Sequence, residues 1–453
     1  MRYLAAFVVI LLLAAGGVYI IAGRAAGPAI EIGKPTKFVG VSTPLEVSVG
    51  ARGGHLASLQ VTLEQNGKQI PLYALGGSTA TMKQDGPDRL IVTREIGRKS
   101  VPELQSGQAR IVVTAARPVL YGIRTAQATA TRDVEVRLER PQIALLSNKH
   151  YINLGGSEMV VYRVTPAGVQ SGVTVGDVEY PGYPGPGARG DGVKIDDPSI
   201  RVAFFALSYD QDLNTPMHLF ARDEAGNTAR ADFDYTTFPK PFKKSRIELE
   251  DKLLDRVVPS ILEGTNEVNP EGDTLAKFLV INGELRRKNN EKIASFAKAS
   301  APEMLWNGVV FHPFANNAVE SAFADHRTYT YKGQEVDKQV HLGFDLASFM
   351  GIKIVAANRG SVVFADNLGI YGTCVIIDHG MGVQSLYGHL SSIGVKAGDL
   401  VEKEQELGRS GMTGLAGGDH LHFTMLVNGH MVNPVEWWDA HWIQDRILRK
   451  LKF

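Results

Sequence analysis

The pattern of apolar and polar residues changes several times along the chain, and each change predicts a different element. Residues 3–22 carry no charge and consist mainly of Ala, Val, Ile and Leu, which is about the length that spans a bilayer core. A cleavable signal peptide has a shorter apolar core, of roughly 7–15 residues, and Gly23-Arg24-Ala25 is a poor cleavage site. We therefore expect residues 1–24 to be a single membrane anchor, with the bulk of the chain on the periplasmic or cell-wall side.

Alternation of apolar and polar residues predicts β-strands from residue 28 to residue 240. Residues 45–49, 59–63 and 134–138 alternate clearly, as expected where alternate side chains of a strand face the same side of a sheet. Short strands separated by turns such as Asn66-Gly67 predict an immunoglobulin-like domain at 28–140 and a second β-sandwich at 141–240. Because neither contains a cluster of titratable residues, we expect spacers or modules that bind envelope proteins.

The pattern becomes helical beyond residue 242. Ile247, Leu253, Leu254 and Val257 lie mostly on one helix face, and Pro259 is expected to interrupt that helix. Asp273 is a predicted N-cap of a second helix. We therefore predict a helical insert at 243–305, which either covers the following domain or orients it.

From residue 306 the chain again predicts strands, among them 353–356, 373–378 and 421–427, in a β-domain at 306–435. Asn433-Pro434 is an N-cap followed by proline, and it predicts a C-terminal amphipathic helix at 436–453. That helix either docks through its tryptophans or lies on an anionic surface. The predicted fold class is mainly β and multidomain.

Composition excludes some functions. The 453 residues include 48 basic and 48 acidic side chains, so the chain lacks the excess of positive charge that marks nucleic-acid-binding proteins. The length predicts several domains. Cys374 is the single cysteine, which excludes an intramolecular disulfide; in its apolar run we expect a buried residue, not a nucleophile.

Candidate metal ligands occur in the C-terminal β-domain. His341 and Asp345 form an HxxxD motif, and His420 and His422 form an HxH motif, whose members point to one face if they lie on a strand. Zinc catalysis needs three protein ligands and an open position for water. His341, Asp345 and His422 can supply two imidazoles and one carboxylate.

Other histidines remain for proton transfer. If His389 and His420 face the same pocket without binding metal, they can act as a base and as a donor to an oxyanion. The alternative is that these histidines are surface residues or satisfied core residues. We expect this alternative to hold for His379, His430 and His441.

Taken together, the motifs resemble the lysostaphin/LytM-type zinc metalloendopeptidases, which cut peptide bonds in bacterial peptidoglycan. The resemblance covers about residues 330–435 and rests on three motifs of that family, an HxxxD, a Tyr-x-His-Leu and an HxH followed by Phe. In this chain they are His341-Leu-Gly-Phe-Asp345, Tyr387-Gly-His-Leu390 and His420-Leu-His-Phe423.

The resemblance implies an antiparallel β-fold with an open groove, the duplicated hybrid motif. It implies that His341, Asp345 and His422 bind Zn²⁺ and that His389 and His420 are the catalytic pair. It also implies an active zinc endopeptidase with peptidoglycan stem peptides as substrate. In the implied reaction zinc activates water and polarises the scissile carbonyl, while the catalytic pair handles the proton and the oxyanion.

Several expectations are less specific. Arg327 and Tyr387 are candidate substrate-binding residues; Arg327 either meets a substrate carboxylate or is an ordinary strand-surface residue. Some relatives are autoinhibited by an upstream segment in the groove, for which Asn316 and Asn317 are candidates. The alternative function is a non-enzymatic envelope scaffold that binds and activates a partner cell-wall hydrolase; the intact five positions favour the enzyme.

Overall fold

The computed structural model describes residues 2–22, 24–50, 55–313 and 318–453. The chain divides into two compact units, one of Met1–Pro141 with Arg222–Ala229 and one of Gln142–Ala221 with Arg230–Phe453. The six segments predicted from sequence are a finer division than these units, and that division stays a prediction.

The N-terminal unit begins with helix α1 (Arg2–Ala22). Within the described part of the chain, the structure contains no helix with the length and hydropathy of a membrane span. The anchor predicted at residues 1–24 stays a prediction.

The rest of the N-terminal unit is a β-sandwich. Its strands pair in the orders β1-β3-β7-β6 and β2-β9-β8-β4-β5. Apolar side chains of both sheets, such as Val47 and Val92 of one and Val61 and Val113 of the other, share one buried core, as the alternating pattern predicts. The strands are β1 (Ile30–Lys34), β2 (Phe38–Val39), β3 (Thr43–Gly50), β4 (Ser58–Gln65), β5 (Lys68–Ala74), β6 (Thr81–Gln84), β7 (Arg89–Ile96), β8 (Gly107–Val119) and β9 (Arg124–Val136).

A second β-module opens the other unit. Its strands pair in the orders β10-β12-β16-β15 and β14-β13-β17-β18, and β11 pairs with β19 in parallel. The strands are β10 (Gln142–Leu145), β11 (His150–Asn153), β12 (Ser157–Thr165), β13 (Gln170–Val175), β14 (Val178–Pro181), β15 (Tyr183–Pro184), β16 (Ile200–Ala206), β17 (Met217–Arg222), β18 (Thr228–Asp232) and β19 (Tyr235–Phe238).

The helical insert differs from its sequence prediction at its start. Lys244–Glu248 forms strand β20, which pairs in parallel with β22 (Asp325–Tyr331); Ile247 therefore belongs to a sheet, because pairing with a distant strand prevails over the local helical pattern. Helix α2 (Asp251–Glu263) runs through Pro259 without interruption. Pro259 is exposed, so water can solvate the carbonyl group that proline leaves unpaired.

The remaining helices of the insert are α3 (Thr274–Val280) and α4 (Arg286–Ser295), joined without a break by a π-helical turn at Ile281–Leu285. Asp273 is the N-cap of α3, as predicted, and its side chain accepts a hydrogen bond from the amide of Ala276 at 2.8 Å. A single widened turn of this kind is frequent at functional sites.

The C-terminal β-domain is built on one antiparallel sheet of order β21-β24-β32-β28-β27-β26-β30, with β33 paired to β32. Smaller sheets are β20-β22-β23 and β25-β31-β29. Besides β22, the strands are β21 (Ala318–Ser321), β23 (Gln334–His341), β24 (Phe344–Ala347), β25 (Lys353–Val355), β26 (Gly360–Asn367), β27 (Thr373–Asp378), β28 (Val383–Leu390), β29 (Ser392–Ile393), β30 (Leu400–Val401), β31 (Glu406–Arg409), β32 (Leu421–Val427) and β33 (His430–Val432).

The chain ends in short helical pieces, not one amphipathic helix. Helices α5 (Pro434–Trp438) and α6 (Ala440–Trp442) precede a π-helical turn at Ile443–Leu448 and a 3₁₀ turn at Lys450–Lys452. Asn433 caps α5 as predicted, accepting from the amide of Val435. The terminal segment docks on the second β-module, where Glu436 accepts hydrogen bonds from Asn153 and from the amide of Ser157.

Candidate metal centre

The register of the main sheet places two of the predicted ligands opposite each other, and the strand before it supplies the third. His341 is the last residue of β23, and Asp345 lies in β24, directly opposite His422 of β32. Glycine is required between the first two, because a Cβ atom on Gly343 would lie 2.5 Å from the imidazole of His422. Strand pairing thus joins residues that are far apart in sequence.

The ligand atoms converge at distances that suit a metal ion. His341 Nε2 lies 2.9 Å from Asp345 Oδ1 and 3.0 Å from His422 Nδ1, and the remaining pair, His422 Nδ1 and Asp345 Oδ1, is 3.2 Å apart. All three side chains are buried. Zinc bonds of 2.0–2.2 Å in a tetrahedron place ligand atoms roughly 3.3 Å apart. The nitrogen, nitrogen and oxygen donors therefore fit a zinc ion.

Backbone carbonyl groups orient the imidazoles around this group. The Nδ1 atoms of His341, His389 and His420 lie 3.2, 2.8 and 2.9 Å from the carbonyl oxygens of Ala322, Thr413 and Gly418. Since a carbonyl oxygen only accepts, each Nδ1 carries the proton and each Nε2 keeps its lone pair when the ring is neutral. His341 can bind metal through Nε2, and the other two can accept a proton there.

His389 reaches the site through a local irregularity in its strand. In the pairing of β28 with β27, Gly388 and His389 lie opposite the single residue Cys374, which is a β-bulge. His389 has φ +62°, a conformation that is unfavourable for a residue other than glycine. The bulge directs its ring toward His420, with ring centroids 4.8 Å apart.

The predicted ligands and the predicted catalytic pair share one cavity of about 100 Å³. Its walls include His341, Asp345, His389, His420 and His422. The HxH motif therefore directs both of its histidines to the same cavity, as its spacing predicts. All five side chains can therefore contact one group bound in this cavity.

The protonation states of these groups differ because their surroundings differ. Burial alone would raise the pKa of Asp345, but His341 and the hydrogen bonds from the three neighbouring histidines hold the pKa well below its usual range. Burial lowers the pKa of His422 to about 4. Burial, together with the charges of His420 and His422, lowers the pKa of His389 well below normal.

His420 behaves in the opposite way. Burial lowers its pKa, but the contact with Asp345 outweighs burial and leaves the pKa above its ordinary value; His420 Nε2 lies 3.4 Å from Asp345 Oδ1. The two histidines of the predicted catalytic pair thus differ in the form that their surroundings favour, the neutral ring for His389 and the protonated ring for His420.

The candidate substrate-binding residues lie in different surroundings. Arg327 lines the cavity, but its Nη2 donates to Asp345 Oδ2 at 3.1 Å and to Ser321 Oγ at 2.7 Å. Tyr387 is fully buried, and its hydroxyl accepts from the amide of Ala357 and from Ser385. Tyr387 therefore does not reach the cavity, because its side chain is part of the polar network inside the domain.

The residues that we expect to have no catalytic role lie outside the cavity that the predicted ligands line. His379 is buried between the carbonyl oxygen of Arg359 and Ser385, His430 is half-buried in the β32–β33 hairpin, and His441 is exposed. Cys374 is buried in β27, where burial raises the pKa of its thiol, as expected for a core residue. Asn316 and Asn317, the candidates for autoinhibition, lie outside the residues that the structure describes.

Among the residues of the cavity wall that the sequence did not single out are Arg286 of the helical insert and Tyr371 of the β26–β27 loop. The Tyr371 ring meets the His422 ring edge-on, with centroids 5.3 Å apart. The adjacent basic residues Arg286-Arg287, at the start of a polar helix, were the signal in the sequence.

The helical insert forms part of the site. Asn289 is buried and accepts a hydrogen bond from the amide of Ile370 at 3.0 Å, and Asn290 accepts from the hydroxyl of Tyr371 at 2.8 Å. Arg256 of α2 donates to the carbonyl oxygen of Ala416 at 2.6 Å. The insert therefore contacts the β26–β27 loop and the loop that precedes β32.

Comparisons with known proteins agree with this geometry. Residues 339–434 match the family described as Peptidase family M23. An uncharacterized metalloprotease of Haemophilus influenzae is 35% identical over 135 residues, 29% of this chain and 28% of that protein. Peptidoglycan DD-endopeptidase ShyA of Vibrio cholerae is 28% identical over 191 residues, 41% of each protein. The chain thus matches these two curated relatives over less than half of their length.

A solved structure also matches part of the chain. The catalytic domain of the antimicrobial peptidase lysostaphin from Staphylococcus simulans is 26% identical and covers 27% of this chain and 96% of its own, with a TM-score of 0.23.

Proposed function

Because residues 339–434 form a domain of peptidase family M23, we propose that the chain is a zinc-dependent endopeptidase that cleaves peptide cross-links of bacterial peptidoglycan. The observation that carries the proposal is the buried convergence of His341 Nε2, Asp345 Oδ1 and His422 Nδ1 within 2.9–3.2 Å of one another. His389 and His420 line the same cavity, so a proton acceptor and a proton donor would stand beside the metal, which is the combination that hydrolysis needs.

The three ligands would be His341, Asp345 and His422. Zinc held there supplies a Lewis acid, which polarises a carbonyl group and makes water more acidic. His389, whose pKa burial holds low, accepts the proton of the attacking water at Nε2. His420, whose pKa Asp345 raises, would donate a hydrogen bond from Nε2 to the developing oxyanion and would then transfer that proton to the leaving amine as the C–N bond breaks.

The substrate class follows from the names of relatives. ShyA, which shares 28% identity over 191 residues, is named a peptidoglycan DD-endopeptidase. We infer that this chain also acts on stem peptides of peptidoglycan, which places it in the cell envelope. In the finer architecture that we propose, the sandwich at 28–140 is immunoglobulin-like and, with the module at 141–240, binds envelope proteins or sets the position of the peptidase.

The experiment is digestion of purified sacculi with the full chain, followed by mass spectrometry of the released peptides. We expect cleaved cross-links that disappear when a chelator removes the metal and return when zinc is added. The Asp345→Asn variant should be inactive with or without added zinc. The His441→Ala variant, altered at an exposed histidine outside the cavity, should cleave as the wild type does.

The alternative is an envelope scaffold that binds and activates a partner hydrolase without catalysing hydrolysis. If the folded, zinc-loaded chain released no peptides but accelerated the digestion of sacculi by an added amidase, the scaffold would replace the enzyme. The five intact positions His341, Asp345, His389, His420 and His422 support the enzyme, because a scaffold has no need of them.

A further inference from the structure

A second, larger cavity adjoins the metal centre. Its volume is about 430 Å³, and it shares Arg286 and Leu342 with the cavity of about 100 Å³ that contains the ligands. Leu342 directly follows the ligand His341 in the chain. The other walls come from Ser208 and Tyr209 of the second β-module, from the helical insert and from the β32–β33 hairpin.

The two volumes indicate where a substrate would extend. Since a water molecule occupies about 30 Å³ in the liquid, the smaller cavity has room for a metal ion and a few atoms around one peptide bond. A longer peptide bound there has to continue into adjoining space, and the larger cavity is such a space. Arg286, at the junction, would contact the residue next to the scissile bond.

The side chain of Arg286 is held in a fixed orientation. Its Nε donates to the carbonyl oxygen of Asn282 at 3.0 Å, and its Nη2 donates to Asn282 Oδ1 at 2.5 Å. Asn282 is fully buried, and its amide group donates to Asp337 Oδ2 at 2.7 Å. A guanidinium group has five N–H donors, so these two bonds leave most of its donors for a ligand.

Arg286 also has no carboxylate partner among the residues that the structure describes, whereas cations around it do. Arg287 pairs with Glu291 at 2.5 Å, and Lys288 pairs with Glu284 at 2.7 Å. Arg327, which also lines the smaller cavity, pairs with Asp345. Arg286 therefore lies where the two cavities meet, and no carboxylate among the described residues pairs with its charge.

We propose that Arg286 binds a carboxylate group of the peptide substrate, next to the scissile bond, and thereby makes the enzyme selective for acidic peptides. The inference rests on the proposed peptidase function. A half-buried guanidinium with free donors in a planar fork is suited to a carboxylate, which it binds through two parallel hydrogen bonds. The carboxylate is either a side-chain group or the C-terminal α-carboxylate of the peptide.

The test uses the full, zinc-loaded chain and peptides that contain the bond cleaved in sacculi. One peptide carries both carboxylates, a second has its side-chain carboxylate converted to the amide, and a third is amidated at the C-terminus. We expect one of the two amidations to lower the wild-type kcat/KM about 10–100-fold, as for loss of a charged hydrogen bond. The amidation that has this effect identifies the source of the carboxylate.

One of the two amidated peptides is the one that the wild type cleaves more slowly. The Arg286→Gln variant should cleave the acidic peptide as slowly as the wild type cleaves that amidated peptide. On that amidated peptide itself, the variant and the wild type should have the same rate. Arg286→Lys should keep part of the preference, since it restores the charge without the fork. Arg246→Gln, at an exposed arginine on β20, should keep the wild-type preference.

Three results would overturn the proposal. Equal cleavage of all peptides by the wild type would refute it while leaving the peptidase function intact. An equal loss on the acidic and amidated peptides in Arg286→Gln, with a lowered melting temperature, would assign the arginine a structural part only. If the wild type cleaved none of the peptides and no sacculi, the proposed function would fail and the selectivity with it.

Discussion

Arg327 and Asp345 are joined by a hydrogen bond of 3.1 Å between Nη2 and Oδ2, while the other carboxylate oxygen faces His341 and His422. The arginine thus fixes the orientation of Asp345, one of the three predicted metal ligands. The sequence left two alternatives for Arg327, a contact with a substrate carboxylate or an ordinary position on the strand surface. The hydrogen bond to Asp345 is neither of these. Partners of this kind fix the orientation of a ligand and adjust its charge.

Replacement of Arg327 by methionine should therefore weaken zinc binding. The change keeps much of the apolar stem but leaves Asp345 Oδ2 without its donor, and loss of such a partner typically costs about 10–100-fold in metal affinity. Competition with a zinc-binding dye measures the affinity directly. Arg359→Met is the matched control, because Arg359 is exposed and pairs with Glu402 instead. Unchanged zinc affinity in Arg327→Met would refute the proposed role of Arg327 in orienting Asp345.

His422→Ala should remove zinc binding more completely than Arg327→Met does. His422 supplies one of the three convergent ligand atoms, so the loss should exceed the ~10–100-fold typical of an outer partner. The zinc content of the dialysed protein, determined by atomic emission, is the measurement. A His422→Ala protein that kept one zinc per chain and its activity would show that the ligand set is wrong.

Substitution of the catalytic pair should separate metal binding from turnover. His389→Ala and His420→Ala each leave the three ligands in place, so zinc content should stay near that of the wild type. Loss of proton transfer should lower kcat about 10²–10⁴-fold. Retention of wild-type kcat in either variant would remove that histidine from the mechanism.

The convergence of His341, Asp345 and His422 was predictable from the sequence because local patterns encode much of it. The runs at 373–378 and 421–427 coincide with β27 and β32, and the HxH motif lies at the start of β32, where its spacing has a geometric meaning. The two ligand motifs are short and ordered, so their convergence required only that β24 and β32 pair.

Contacts between distant segments were not predictable in the same way. Ile247 lies in a helical pattern, yet its segment pairs with β22, about 80 residues later, and a local pattern carries no information about that pairing. Arg286 is about 50 residues upstream of the HxxxD motif, and nothing in the spacing indicates that α4 packs against the metal centre. The bulge that redirects His389 while Tyr387 stays buried is likewise a property of strand pairing.

Glu436 should make the stability of the C-terminal unit dependent on pH. Burial raises its pKa to about 7 from an ordinary value of 4.5. The folded state therefore binds the proton more tightly than the unfolded state. The contribution of protonated Glu436 to the free energy of unfolding is fully present below pH 4.5 and is lost as the pH rises through about 7. This contribution is at most about 3 kcal/mol.

Urea unfolding followed by tryptophan fluorescence, at several pH values from 4.5 to 8, measures this effect, since all four tryptophans lie between residues 306 and 442. In the wild type the urea concentration at the unfolding midpoint should fall as the pH rises. In the Glu436→Gln protein this fall should be smaller, because glutamine does not ionise. Glu271→Gln, at an exposed carboxylate, is the control. Parallel curves for wild type and Glu436→Gln would contradict the prediction.

The position of Arg286 in the helical insert has a consequence for how such enzymes diversify. In the proposed enzyme the reaction chemistry lies in residues 339–434, the segment that matches the M23 family, but one wall of the adjoining cavity is encoded upstream, in residues 283–294. A recombination event that carried only the catalytic segment into another gene would transfer hydrolysis without its selectivity. Mutation of the insert alone, in contrast, could redirect the enzyme to other peptides while the metal centre stays constant.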